Sequence, residues 1–143
     1  MQLLPPGTEV NQLHHASYGR RLLPTLFIGD ALVVLLFVAL GQFSHLTWSG
    51  LVALFPASFP FLLAWVLWGL ILGTFRAQTL RSIAAAAKSA LLAWALAAPT
   101  GVLVRMALLG RVSHWSFFLT AFAFGGAMLV VWRAIAAWIA SRR

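Results

Sequence analysis

Long apolar runs separated by short polar breaks set the elements of this chain. Residues 22–41 are almost wholly apolar and follow the pair Arg20-Arg21; a second run covers 54–75, a third, rich in alanine, Ile83–Leu109, and a fourth 115–139. Each approaches or exceeds the roughly 20 residues that a helix needs to cross hydrocarbon. The pattern predicts an all-α fold, an integral membrane bundle of four transmembrane helices. Residues 1–21, with Pro5, Pro6 and Gly7, read as a cytoplasmic N-terminal tail, 22–141 as the four-helix transmembrane domain, and 142–143 as a cytoplasmic C-terminus. Pro24 falls in the opening turn of the first span, where a missing amide costs little. Pro56 and Pro60 stand near the start of the second.

Composition sharpens this picture. Of 143 residues, 62% are apolar and 8% charged, which leaves no segment over for a soluble catalytic domain. Ten Lys and Arg against two acids give a net charge of +8. In a soluble protein such a balance would suggest phosphate binding. Here the charges flank apolar runs, where they orient helices and meet anionic headgroups. The expected partners are the lipid bilayer and other membrane subunits or further copies of the chain, with no nucleic acid. The absence of Cys excludes disulfides and thiolate chemistry. The first run is longer than the roughly 7–15 residues of a signal-peptide core and contains Asp30, so it reads as an uncleaved span.

Arg20, Arg21, Arg76, Arg81, Lys88, Arg142 and Arg143 fall on one side, against Arg111 on the other with Arg105 just beneath it. The Lys/Arg rule for short loops then predicts a multi-pass protein of the cell inner (plasma) membrane with both termini cytoplasmic. Trp48 and Trp115 mark the outer interface, and Tyr18 and Trp138 the inner one. Small residues allow close helix approach in lipid; Gly69-x-x-x-Gly73, Ala121-x-x-x-Gly125 and Ala123-x-x-x-Ala127 are candidates, as are chance pairs in any Gly/Ala-rich helix. Pro99-Thr100-Gly101 predicts a kink midway along the third span.

Two loops share a pattern, Gly41-Gln-Phe-Ser44-His45 and Gly110-Arg-Val-Ser113-His114. Two hairpins related by duplication would place His45 and His114 across the outer mouth, with Ser44, Ser113 and Arg105 nearby. Paired imidazoles suit a metal, haem or chlorin. No carboxylate or thiol joins them, so loop and cap chemistry is the preferred reading and no metal is expected. Lipid is the expected cofactor; pigment or haem lacks an embedded ligand.

Charges inside hydrocarbon carry functional weight, because each costs about 2.5–3.5 kcal/mol on insertion scales. Asp30 lies nine residues beyond Arg21, about 13 Å deep at about 1.5 Å per residue. Arg133 lies nine residues before Arg142, at matching depth, whereas Arg105 sits near the outer end of the third span and can snorkel. Depth pairs Asp30 with Arg133 as a structural intramembrane ion pair. On this reading a charge-exchanged pair partly restores folding lost in Asp30→Asn.

Gly29-Asp30-Ala31, Gly41-x-x-Ser44-His45, the run Arg105-Met-Ala-Leu-Leu-Gly-Arg111, and Trp132-Arg133 together resemble an uncharacterised bacterial family of short four-span membrane proteins, catalogued only as a domain of unknown function. The resemblance covers roughly residues 22–133 and implies a topology without an activity. Members often carry a basic residue where this chain has Gln42.

Three functional classes follow. The first is an accessory or structural subunit of a larger respiratory or photosynthetic membrane complex, suggested by small size, seven Trp and no catalytic constellation. The second is a small oligomeric transporter coupled through Asp30, similar to small multidrug exporters that use a Glu in their first span; their charge bias is weak, unlike this chain's. An enzyme ranks last and is not expected. Ser44-His45 and Ser113-His114 lack an orienting acid, and no phosphate loop, zinc-protease motif or dinucleotide fingerprint is present.

Overall fold

Apolar length is converted into helix throughout. A computed structural model describes the backbone of residues 8–44, 50–110, 112 and 114–142, with side chains from Pro24 onward apart from Ser44. Helix α1 (Thr8–Ser44) runs well beyond its apolar part, Pro24–Phe43. Helix α2 (Leu51–Ile71) and helix α3 (Ile83–Leu109) follow, joined through a 3₁₀ turn at Ala77–Leu80. The last span, Trp115–Ser141, consists of α4 (Trp115–Thr120), a π-helical turn (Ala121–Gly125) and α5 (Gly126–Ser141). All four spans are long and apolar enough to cross a bilayer. The shortest, 20 residues, is about 30 Å long, the thickness of the hydrocarbon.

The second span ends earlier than hydropathy suggests. The apolar run continues to Phe75, but Gly73 takes φ 68°, a left-handed conformation that a helix cannot contain. Thr74 N–H donates back to the Gly69 carbonyl at 2.8 Å, and the chain turns away. Gly73 is therefore no part of a Gly-x-x-x-Gly helix face. Gly69 accommodates the ring of Phe75, which folds back over it. Ser82 caps α3 by accepting from Ala85 N–H at 3.1 Å, and Gly110 closes it at φ 61°. The two Gly-x-x-Ser-His segments differ in backbone: Gly41 lies inside α1, whereas Gly110 terminates α3.

The spans pack in chain order, with α5 returning against α1. On α3 a stripe of Ala86, Ala90, Ala93 and Ala97 is fully buried, so α2 and α5 approach its backbone closely. Rings fill the centre: Phe37 meets Trp94 edge-on at 6.0 Å across the bundle, and Phe61 stacks on Trp94 at 6.3 Å. Leu26, Leu80, Ala86 and Ala137 close one end. Ile28, Leu32, Phe55, Leu67, Leu103 and Val131 are among the large apolar side chains that face outward. Such a surface suits lipid or the apolar face of a neighbouring membrane protein. At the Leu80 end Arg76, Arg81, Lys88 and Arg142 are exposed, with Arg142 stacked 3.8 Å over Trp138. Trp115 is exposed at the opposite end; Trp48 and Arg111 lie outside the described residues.

A π-helical irregularity lies in the last span, where the sequence does not suggest one. α3 continues through Pro99, and Thr100 Oγ1 donates to Leu96 O at 2.8 Å while accepting from Trp68 Nε1 at 2.9 Å. In the last span, Trp94 Nε1 donates to the carbonyls of Ala121 at 3.2 Å and Phe122 at 3.1 Å. A donor inserted into the ladder favours a local π turn. The Trp94 ring lies against Gly125 and Gly126, where an added Cβ would meet it at 2.5 and 2.9 Å. Gly125→Ala is therefore expected to lower stability by about 1–3 kcal/mol, the range for overpacking. Trp94→Phe should lose less. Thermal unfolding in detergent checks both, and a neutral Gly125→Ala would show that the ring is free to move.

Candidate functional site

The buried polar cluster lies in the half of the bundle nearer the basic end. α1 carries Asp30 one turn and a half above Pro24, and α5 carries Arg133 two turns before Ser141. Both side chains are sealed from the surface, with 0% exposure for each residue. Arg133 Nε donates to Asp30 Oδ1 at 2.9 Å and Nη2 to Oδ2, a bidentate pair. Arg133 Nη1 donates to the Thr74 carbonyl at 2.9 Å, and Trp65 Nε1 donates to Asp30 Oδ2 at 3.2 Å. The guanidinium carbon stands 5.9 Å from the centre of the Trp65 ring and 5.6 Å from that of Phe75. First span, second span, the turn after it and the last span thus meet at one point.

Local sequence explains the placement. Gly73 reverses the chain so that the Thr74 carbonyl and Phe75 ring point back at Arg133. Gly29 leaves room for the Trp132 ring, which any Cβ there would penetrate. Trp132 Nε1 is buried without a hydrogen bond of standard geometry. Trp65, Thr74 and Phe75 are site residues that sequence reading missed. Trp65 is one of seven tryptophans and has no distinguishing spacing. The combination Gly73-Thr74 was the available signal, since a left-handed glycine frees the carbonyl that follows.

Chemically the cluster is a neutral tie in which both charges are satisfied. One cation meets one anion, and the surrounding dipoles have matching sign, an N–H toward Asp30 and a carbonyl toward Arg133. This directionality changes the expectation for charge exchange. A guanidinium at position 30 would face the Trp65 donor, and a carboxylate at 133 the Thr74 carbonyl.

The remaining sequence candidates lie elsewhere. His114 caps α4: its Nδ1 lies 2.9 Å from Ser116 Oγ and accepts weakly from Ser116 N–H at 3.4 Å. His45 and Ser113 lie outside the described residues, as does the Ser44 side chain. Among the described residues no three His, Cys, Asp or Glu come together as a metal set. Arg105 is far from Asp30; its guanidinium rests 5.4 Å over the Phe117 ring beside a cavity.

Removing one partner of a buried pair costs about 3–5 kcal/mol. Asp30→Asn and Arg133→Gln should each reduce the monodisperse detergent-extracted fraction and the unfolding temperature. The double variant Asp30→Asn with Arg133→Gln should recover more than the exchange Asp30→Arg with Arg133→Asp. An exchanged pair as stable as the parent chain would contradict the dipole matching. Trp65→Phe should cost about 1.5–3 kcal/mol, the value of a hydrogen bond to a charged group.

No curated protein and no solved structure shows significant similarity to this chain. Residues 27–136 match a family described as a protein of unknown function, DUF3054, which takes in Asp30, Trp65, Thr74 and Arg133 alike. With most of its length matched, and with the tie inside the matched region, the chain belongs to the DUF3054 family, a family of unknown function.

Proposed function

We propose that the protein is a non-catalytic structural or accessory subunit of a larger membrane assembly, respiratory or photosynthetic, in the cell inner membrane with both termini cytoplasmic. The observation that carries this reading is the saturation of Asp30: a bidentate arginine and an indole N–H occupy its oxygens in a sealed site. A coupling carboxylate has to exchange its proton or substrate with water; this one fixes helices instead. His114 is likewise committed to a helix cap. The broad apolar exterior provides surface for neighbouring subunits as well as for lipid. Orientation rests on the Lys/Arg bias, with Arg76, Arg81, Lys88 and Arg142 at the end assigned to the cytoplasm.

Purification in mild detergent, followed by native mass and an absorption spectrum of the same sample, tests the role. Stoichiometric membrane-protein partners are the expected result. A colourless homo-dimer without partners would overturn it and make Asp30→Asn the first variant for a flux assay. The lack of Cys makes topology readable with single substitutions. In intact cells an impermeant maleimide should label Ser116→Cys and spare Ser141→Cys; the reverse pattern would invert the assignment.

A further inference from the structure

At the end of the bundle away from the ion pair, a cavity of about 260 Å³ opens between α1, α2, α3 and α4. Its walls are apolar and aromatic, Phe37, Phe61 and Phe117 with Ala57, and its polar groups are Arg105, Gln42 and Thr120. Arg105 is half-buried, and its guanidinium rests on the Phe117 ring face. It also borders a second groove, between α2 and α3, with Pro56, Pro60 and Leu108.

Neither acidic side chain of this chain answers the charge of Arg105. Only two acids exist. Asp30 is saturated by Arg133 in the other half of the bundle. Glu9 stands at the start of α1, 33 residues before Gln42 on the same helix, which is about 50 Å along its axis. Arg105 lies four residues before the end of α3, about 6 Å in, the level at which headgroups meet acyl chains. A cation at that depth is stabilised by an anion or by water. Here it sits over a concave aromatic cleft that water alone would fill poorly.

We propose that this cleft binds the oxyanion head of a membrane amphiphile, with Arg105 on the phosphate or carboxylate and the adjoining apolar chain along Phe37, Phe61 and Phe117. The volume suits a head and its first methylenes and not a whole lipid, so the tails leave through the open side into the bilayer. Arginine is the residue type suited to two oxygens of one oxyanion. The Thr120 hydroxyl, whose proton is donated to Ser116 O, lines the cleft without adding a donor, so the oxyanion falls to Arg105. A partner subunit's carboxylate would satisfy the charge but leave the aromatic cleft unfilled, so the amphiphile is the better match. The inference needs only the membrane setting and stands apart from the subunit role.

Native mass spectrometry of the full chain in detergent micelles tests it, with dioleoylphosphatidylglycerol, dioleoylphosphatidylcholine and oleate as separate additives. A saturable 1:1 adduct is expected with phosphatidylglycerol, with oleate or with both, at least ten-fold weaker with phosphatidylcholine. Phosphatidylglycerol alone identifies a phospholipid phosphate, and oleate alone a fatty carboxylate. Arg105→Gln should abolish the adduct, and Arg76→Gln, an exposed change at the other end, should leave it intact. Gly41→Leu keeps Arg105 and fills the cleft: Gly41 lines it, and a Cβ added there meets no described atom beyond its own helix within 4 Å. This variant should also lose the adduct, even where Arg105→Gln fails to fold. Equal binding of phosphatidylcholine, an adduct that survives Gly41→Leu, or a co-purifying protein that crosslinks to position 105 in place of lipid would overturn the proposal.

Discussion

An unpaired charge cannot be left in hydrocarbon, and the architecture turns on that constraint. Asp30 and Arg133 stand 103 positions apart and belong to the first and last spans. Either one alone would resist insertion by several kcal/mol. Their union forces α5 to return against α1 and so closes the bundle in chain order. The Thr74 carbonyl and the Trp65 indole then complete the cluster, which gives the turn after α2 and the α2 helix their own fixed positions. Buried ion pairs often add little net stability. Their value here is register, because a slip of one helical turn would strand both charges.

Packing around this tie follows a second rule, in which glycine faces a ring. Trp132 covers Gly29, Phe75 covers Gly69, Phe61 covers Gly101, and Trp94 covers Gly125 and Gly126. In lipid, helix association draws on contact and on interhelical hydrogen bonds more than on exclusion of water. A ring seated on a bare backbone maximises contact, and three of the tryptophans also donate across helices: Trp65 to Asp30, Trp68 to Thr100, Trp94 to the π turn. The many tryptophans are thus in part structural fasteners and only in part interfacial anchors such as Trp115 and Trp138.

The two ends of the bundle differ in kind. One is sealed, with opposite charges balanced and Leu26, Leu80 and Ala137 closing over them. The other is open, with Arg105 and an aromatic cleft. An internal tie at one end allows the other to remain hollow without loss of fold.

The hydrophobic pattern by itself determined the membrane class, the number of spans and, through matching depth, which charges belong at one level. These are properties of length and position along a helix, and they survive without knowledge of neighbours. Helix ends were less legible: hydropathy does not separate Ile71 from Phe75, because the stop comes from the left-handed backbone of Gly73. The small-residue pairs were visible, but their partners were not, since nothing local says that a ring rather than a helix will fill the gap. Only the tertiary structure decided that Trp65 and Thr74 complete the ion pair, that Trp94 bends the last span, and that Arg105 is left over a cleft. Each depends on contacts between residues at least 12 positions apart in the chain, and side-chain direction across a helix interface is set by packing that no single span encodes.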